Sequence, residues 1–534
     1  MNKILFGQSY FLRFDAKLWE AMQPYPPLGT MYAASYLRRR GYDVALFDAM
    51  LAESEEEWAG ALRQEQPRYA VIYEDNFNYL SKMCLLRMRQ AAFTMIEMAR
   101  SEGCVTIVGG SDATDHAEAY LRQGADYVLL GEGEETLAEL LDALEGRSSQ
   151  APAAIDGLAF HLRDAGAQSP AVDAGLQRNP RRPDIKDVDA LPFPAWDLVD
   201  VEKYRHIWRQ RHGYYSMNMV TTRGCPYHCN WCAKPIWGQR YNSRSPQNVV
   251  AELKWLKDTY RPDHVWFAVD IMGLKPGWWQ RFAGEVEAAD ARVPFKCLSR
   301  ADLITRSEEE VASLAHAGCD IVWMGAESGS QKILNAMEKG TRIDQIYRAT
   351  RLLHANGIRV GFFLQFGYPG ETRDDIERTL QMVRDCRPDD IGMSVSYPLP
   401  GTRFYDSVKV QLGDKQNWVD SADLAMMYRG PFTTAFYRQL HAILHKEFRS
   451  RRCLARWRQI ARREAAASPG DLREAVASVY RLATLPLARA RLDRLAHLPH
   501  ETNIQVAPHM SLDDAATPSP QARHAPQARH APHE

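Results

Sequence analysis

The chain has 534 residues, with 66 Lys or Arg against 67 Asp or Glu and a formal net charge of −1, which excludes the basic excess of a polyanion binder. Hydrophobic residues at 45% and charged residues at 25% exclude disorder along the whole chain, and about 150 residues per domain sets a count of two to four. Nine cysteines are too sparse, and too odd in number, for a secreted disulfide scaffold, and no stretch reaches the ~18 apolar residues of a membrane span. These features predict a cytoplasmic protein with reduced thiols, and Ile4–Phe6 reads as a first strand rather than a signal peptide.

Residues 1–146 alternate short apolar runs with helical stretches. Strands are predicted at 4–7, 44–48, 69–73, 105–108 and 127–130, with helices between them, the first running from Pro27 to Arg40 and stopped by Gly41. Five βα units predict a doubly wound parallel sheet, whose ligands sit outside the carboxyl ends of the strands. The acidic run Glu53–Glu57 suits a helix start. Residues 147–213 turn rich in Ser, Pro, Ala and Gly and read as a linker with one small hairpin around Gly157–His161.

Residues 214–400 alternate again, in six βα repeats of roughly thirty residues. The pattern predicts a partial parallel (β/α) barrel with its chemistry at the C-terminal strand ends, where Arg223, Asp270, Ser299, Arg300, Glu327 and Ser328 fall. Residues 401–500 read as helical and locally basic. Interleaved acids (Glu447, Glu464, Asp471, Glu474) predict a salt-paired exposed face there, rather than a membrane or acidic-partner surface. The Pro-rich repeat in 501–534 predicts a disordered tail. The fold class is therefore α/β, with a helical C-terminal region.

The first barrel strand ends in Arg223-Gly224-Cys225-Pro226-Tyr227-His228-Cys229-Asn230-Trp231-Cys232. Three thiolates on a short loop suit three irons of a [4Fe–4S] cubane and leave the fourth iron open for chemistry. Zinc is the alternative. It wants four closed ligands, and His228, between the first two cysteines, is awkwardly placed to be one. Trp231 reads as a hydrophobic shield, and the other cysteines (84, 104, 297, 319, 386, 453) as core.

This loop at the end of a first barrel strand resembles that of the radical S-adenosylmethionine (SAM) superfamily, over about residues 214–400. The resemblance implies that Cys225, Cys229 and Cys232 bind the cluster. It also implies that the open iron chelates SAM, whose reductive cleavage gives methionine and a 5′-deoxyadenosyl radical. It assigns Asp270 to the SAM amino group, where relatives often carry two acids. Ser299 and Arg300 fall to the carboxylate or ribose, and Glu327 and Ser328, in Gly325-Ala326-Glu327-Ser328-Gly329, to the ribose or amino group. Tyr368-Pro369-Gly370-Glu371-Thr372 matches a packing and turn element of the family.

The preceding sheet resembles the cobalamin-binding domain of the cobalamin-dependent branch. Pro27, Gly29, Gly110, Ser111, Thr114, Gly131 and Glu132 are thereby implied to border the corrin, since small residues let it approach the backbone. The Asp-x-His-x-x-Gly motif is absent, so no lower-face histidine is expected. The layout also resembles the anaerobic magnesium-protoporphyrin monomethyl ester cyclase and radical SAM methyltransferase group. The expected cofactors are a [4Fe–4S] cluster, SAM and cobalamin. The expected partners are a small-molecule substrate and an electron donor such as flavodoxin or ferredoxin, with no nucleic acid. Methylation of an unactivated carbon is the first reading. Oxidative cyclisation on a tetrapyrrole-like substrate and a non-catalytic cluster sensor stand beside it.

Overall fold

A computed structural model describes residues 2–74, 77–78, 83–84, 86–162, 175–232, 236–412, 424–464 and 466–498. The side chain of Cys84 and the expected disordered tail lie outside the described residues. The first sheet is built from β1 (Lys3–Gly7), β2 (Asp43–Leu46), β3 (Tyr69–Glu74), β4 (Val105–Gly110), β5 (Tyr127–Leu129), β6 (Leu158–His161) and β7 (Leu176–Arg178). Their spatial order is β2-β1-β3-β4-β5-β6-β7. The first five strands are parallel, as the sequence predicts, and their order places a topological switch point between β1 and β3.

Alternation along buried strands fills both faces of this sheet. Leu5, Ala70, Ile72 and Val108 pack on one side, and Ile4, Phe6, Val71 and Ile107 on the other. Helix α1 (Leu28–Arg39) follows β1, and α2 (Glu134–Leu144) follows β5. The hairpin expected inside the linker does form, but β6 joins β5 antiparallel and widens the sheet. A short connection suffices for antiparallel pairing, so linker composition carries no trace of it.

The second sheet holds β8 (Ser216–Met219), β9 (His264–Phe267), β10 (Phe295–Ser299), β11 (Cys319–Glu327), β12 (Arg359–Phe366) and β13 (Asp390–Val395). All six are parallel and lie in sequence order, with β8 and β13 as unjoined edges among the described residues. This is the expected open barrel. The rings of Trp323 and Phe363 pack together, tilted by 31°, with centroids 4.7 Å apart. Gly361 makes room for them, because a Cβ there would collide with the Trp323 ring. Cys104, Cys297, Cys319, Cys386 and Cys453 are buried, as core residues should be.

Two long helices, α3 (Thr434–Ala461) and α4 (Pro469–Ala496), form the C-terminal hairpin. Ser468 caps α4 in a capping box with Asp471, and Pro469 occupies its first turn. The expected salt pairs form, and beside them lies an apolar stripe that the sequence did not predict. Asp471 pairs with Arg456, Glu474 with Arg481 and Glu447 with Arg489, while Leu472, Val476, Val479, Tyr480 and Leu487 are exposed on α4. Charge spacing along a sequence does not tell which rotation of a helix a neighbour covers.

Candidate active site

The cysteine loop is an excursion from a two-stranded ribbon. Thr222 and Arg223 pair antiparallel with Ser243 and Asn242 and close its base. Gly224 opens the loop at φ +77°, and a Cβ there would strike the carbonyl of Arg240, so only glycine serves. Asn230 fixes the middle. Its Nδ2 donates to the Ala336 carbonyl at 2.7 Å, and its Oδ1 accepts from the Tyr368 hydroxyl at 3.0 Å. The Asn230 backbone N–H donates to Met337 O, and its carbonyl accepts from Phe404 N.

Cys225, Cys229 and Cys232 all lie on this loop outside any disulfide, and the side chain of His228 is exposed. Among the described residues no three His, Cys, Asp or Glu converge as ligands of a single metal ion. A cubane offers a separate iron to each thiolate, so its cysteines stand farther apart than those of one zinc.

Cations surround the buried Cys229. Arg300 caps the end of β10, with Nη1 3.9 Å from Cys229 Sγ and its guanidinium 3.6 Å from the Tyr227 ring centre. Arg300 Nε donates to Asp302 at 2.9 Å, and Nη2 donates to the Lys339 carbonyl at 2.7 Å and to Thr341 Oγ1 at 3.1 Å. Burial opposes its charge, but Asp302 and Cys229 outweigh that and hold it above the ordinary arginine range. Lys339 Nζ donates to Glu327 Oε1 at 2.8 Å, with both residues buried. Burial likewise opposes the Lys339 charge, and Glu327 and Cys229 together raise it. Trp231 lies 6.0 Å from that ammonium and meets Tyr397 edge-on at 6.4 Å.

Backbone geometry aims Glu327. The pairing of β11 with β12 slips a residue between Gly325 and Glu327, and Glu327 sits at φ +55°. Such bulges and left-handed residues are used near sites to re-aim a side chain. A Cβ on Gly325 would overlap the Glu327 carboxylate and the Lys339 ammonium, so the bare glycine leaves the space in which they meet.

The other residues expected at the SAM site have these positions. Ser299 Oγ donates to the Met272 carbonyl at 3.2 Å. Ser328 is buried against Thr379, 3.2 Å between hydroxyls, and accepts from Ser330 N. Asp270 follows β9 at the same end of the barrel. Lys339 and Thr341 went unpredicted because their loop has no motif of its own, and Asn230 and Tyr368 lie in recognised motifs that gave no sign of their anchoring contact. Buried polar atoms also face this end: Asn218 Oδ1 and both amide atoms of Gln365 find no hydrogen-bond partner in the protein.

Of the residues expected to border the corrin, Gly110, Ser111, Thr114, Gly131 and Glu132 lie at the carboxyl ends of β4 and β5. Thr114 Oγ1 donates to the Gly110 carbonyl at 2.7 Å and accepts from Gly131 N at 3.0 Å, tying the two glycine turns together. Ser111 begins the short helix after Gly110, which takes φ +133°. Pro27 caps α1, and Gly29 is exposed on its first turn. At the switch point, Gln8 follows β1, fully buried with both amide atoms unpaired. Orphaned polar atoms in that crevice fit a ligand rich in amides, as the corrin rim is.

Glu132, expected to border the corrin, also reaches across to the barrel. Arg223 Nη1 donates to Glu132 Oε1 at 2.5 Å, and Nη2 donates to Glu134 Oε1 at 2.6 Å. All three side chains are 6% exposed or less. Burial opposes the Arg223 charge, yet the two carboxylates outweigh it and hold the guanidinium above its ordinary range. Burial also pushes Glu132 up, against the pull of Arg223. The residue two positions before the first cysteine is thus clamped to the corrin-side turn.

A three-cysteine loop at the mouth of an open barrel, clamped to the ligand edge of a doubly wound sheet, brings two candidate sites together. Comparison with known families agrees. The radical SAM superfamily matches residues 219–383, and the B12-binding domain matches residues 19–141. The chain therefore joins a B12-binding domain to a radical SAM domain in one enzyme, and these domains imply SAM, a [4Fe–4S] cluster and cobalamin as its cofactors. It is 27% identical over 390 residues to an uncharacterised methyltransferase of Pyrococcus horikoshii, covering 71% of this chain and 78% of that one. It is 26% identical to the anaerobic magnesium-protoporphyrin IX monomethyl ester cyclase of Rubrivivax gelatinosus, covering 73% and 67%. The solved structure of the cobalamin-dependent radical enzyme OxsB with aqua-cobalamin has the same fold, with a TM-score of 0.67 at 18% identity, over 92% of this chain and 72% of that one. No described helix is long and apolar enough to cross a membrane.

Proposed function

We propose that this enzyme methylates an unactivated carbon of a small-molecule substrate. When bound, the cluster and SAM supply the 5′-deoxyadenosyl radical that removes a hydrogen atom, and cobalamin supplies the methyl group. Cys225, Cys229 and Cys232 hold the cluster. Arg300 and Lys339 neutralise thiolate charge beside Cys229. Glu327, Asp270 and Gln365 contact SAM, with Ser299 and Ser328 shaping the strand ends that carry them. Gln8, Gly110, Ser111, Thr114 and Gly131, with Pro27 and Gly29, border the corrin.

The observation that carries this reading is the Arg223 clamp. Methyl transfer to a substrate radical needs both cofactor sites to address one carbon. A buried bidentate cation between the cluster loop and the corrin turn fixes their relative position. In this organisation residues 1–146 bind cobalamin, 147–213 link and 214–400 form the barrel. Residues 401–500 close the substrate side, and 501–534 are a tail. A flavodoxin- or ferredoxin-type donor in the cytoplasm supplies the electron.

The test is anaerobic incubation of the reconstituted enzyme with methyl-labelled SAM, a low-potential reductant and a substrate extract. Label in a product together with 5′-deoxyadenosine is the expected result. Deoxyadenosine with an unlabelled, oxidised product would assign the cyclase reading, which the match to the cyclase family favours. Absence of deoxyadenosine from cluster-loaded enzyme would refute radical chemistry and leave the sensor reading.

A further inference from the structure

The C-terminal hairpin holds a surface that this chemistry does not use. Residues 434–496 contain 14 Lys or Arg and 5 Asp or Glu, a net +9 in a chain that totals −1, so the remainder carries −10. Asp471, Glu474, Glu447 and Asp493 are engaged by Arg456, Arg481, Arg489 and Arg373. Beside these pairs, Arg458, Arg462, Arg463, Arg473, Arg491 and Arg494 form no ion pair among the described residues.

Helix α4 is apolar on two sides. Its inner side buries Ser478, Ala488 and Leu492. Its outer side shows Leu472, Val476, Val479, Tyr480 and Leu487, at 63%, 68%, 68%, 68% and 69% exposure. At 3.6 residues per turn these five fall on one stripe with Ala483 and Ala490, about 27 Å long at 1.5 Å per residue. No charged residue projects within the stripe. Arg473 and Arg491 flank it, and Arg494 ends it. A helix with two apolar sides expects two coverings, and α3 provides only one.

We propose that this stripe docks the enzyme on an anionic lipid surface. The apolar crest would enter the boundary between headgroups and acyl chains, while the flanking arginines reach up to lipid phosphates along their aliphatic stems. Charge decides against a second copy of the chain. Symmetric pairing of two stripes would place a +9 hairpin against another +9 hairpin, and the ends bearing Arg491 and Arg494 would meet the partner's arginine flanks. The attraction would be confined to this hairpin, since the rest of the chain is acidic and is repelled by the same surface.

The test is co-sedimentation of the full chain with vesicles of phosphatidylcholine alone, or with about one third phosphatidylglycerol. About tenfold more protein is expected to sediment with the anionic vesicles, with release near 0.5 M salt. The V476E/V479E/L487E variant changes only exposed positions, and its melting curve should match wild type. It should lose about tenfold in vesicle binding. The R473Q/R491Q/R494Q variant should lose the preference for the anionic lipid. Equal sedimentation with both vesicles, or unchanged binding by the first variant, would overturn the proposal. So would a dimer in light scattering that the first variant dissociates, or binding to polyglutamate with none to vesicles, which would assign the stripe to protein contact.

Discussion

Replacing Arg223 by Met removes the cation that joins the cluster loop to the corrin turn. Glu132 and Glu134, 6% and 4% exposed, would be left as two neighbouring buried carboxylates. Removing one partner of a buried ion pair costs about 3–5 kcal/mol, chiefly through the charge left uncompensated. Here the stranded groups relieve themselves by taking up a proton, so the cost depends on pH. Burial already raises the folded-state pKa of Glu132, and without Arg223 it rises further above the unfolded value. The native variant then holds protons that the unfolded chain releases, and its stability falls as pH increases through that window. The variant should melt several degrees below wild type at pH 8, and the gap should narrow towards pH 5. Adding E132Q/E134Q should restore much of the loss. R223K should recover only part, because an ammonium lacks the planar fork that serves two carboxylates at once. The assay is differential scanning fluorimetry of the apo chain across pH. An R223M melting point equal to wild type, or a gap independent of pH, would refute the clamp.

Three other outcomes are expected. Gly224→Ala must accommodate a Cβ at φ +77° against the Arg240 carbonyl, and should lose cluster loading by iron analysis while the rest of the chain stays folded. Arg300→Gln removes a cation 3.9 Å from Cys229 Sγ, worth about 4 kcal/mol at an effective dielectric of 20 before Asp302, 2.9 Å from Arg300, offsets most of it. The cluster midpoint potential, read by redox titration without SAM, should shift negative, and no shift would refute the electrostatic role. Burial pushes Glu371 up to about 8, so the native chain keeps this proton while the unfolded chain releases it near the ordinary glutamate value. Wild type should lose a few kcal/mol of stability relative to E371Q between about pH 5 and 8, a trend that chemical denaturation at several pH values would check.

Much of the layout was legible in the residues. Apolar runs four or five residues long, separated by helical stretches closed by Gly or Pro, specify parallel strands in order. Their sequential pairing in the barrel needed no further information. Cys225, Cys229 and Cys232 could be read because one loop holds all three, so their spacing alone constrains what they bind. The strand-end residues Arg300 and Glu327 could be placed because a βα repeat puts each strand end at the same mouth.

Tertiary packing decided the rest. Lys339 reaches Glu327 and the cluster loop from a turn following the helix Gln331–Ala336, and a single Lys before a Gly has no periodic signature. The slipped residue in β11 that re-aims Glu327 exists only in its pairing with β12. Glu132 belongs to a motif that pointed to the corrin, yet its partner is Arg223, 91 positions away in the chain. The apolar crest of α4 shows the same limit from the opposite side. The sequence set the types of residue around the helix, and only the packing of α3 determined which of them remain in water. Local propensity and spacing act over a few residues, whereas burial, ion pairing and exposure are properties of surfaces brought together from distant segments.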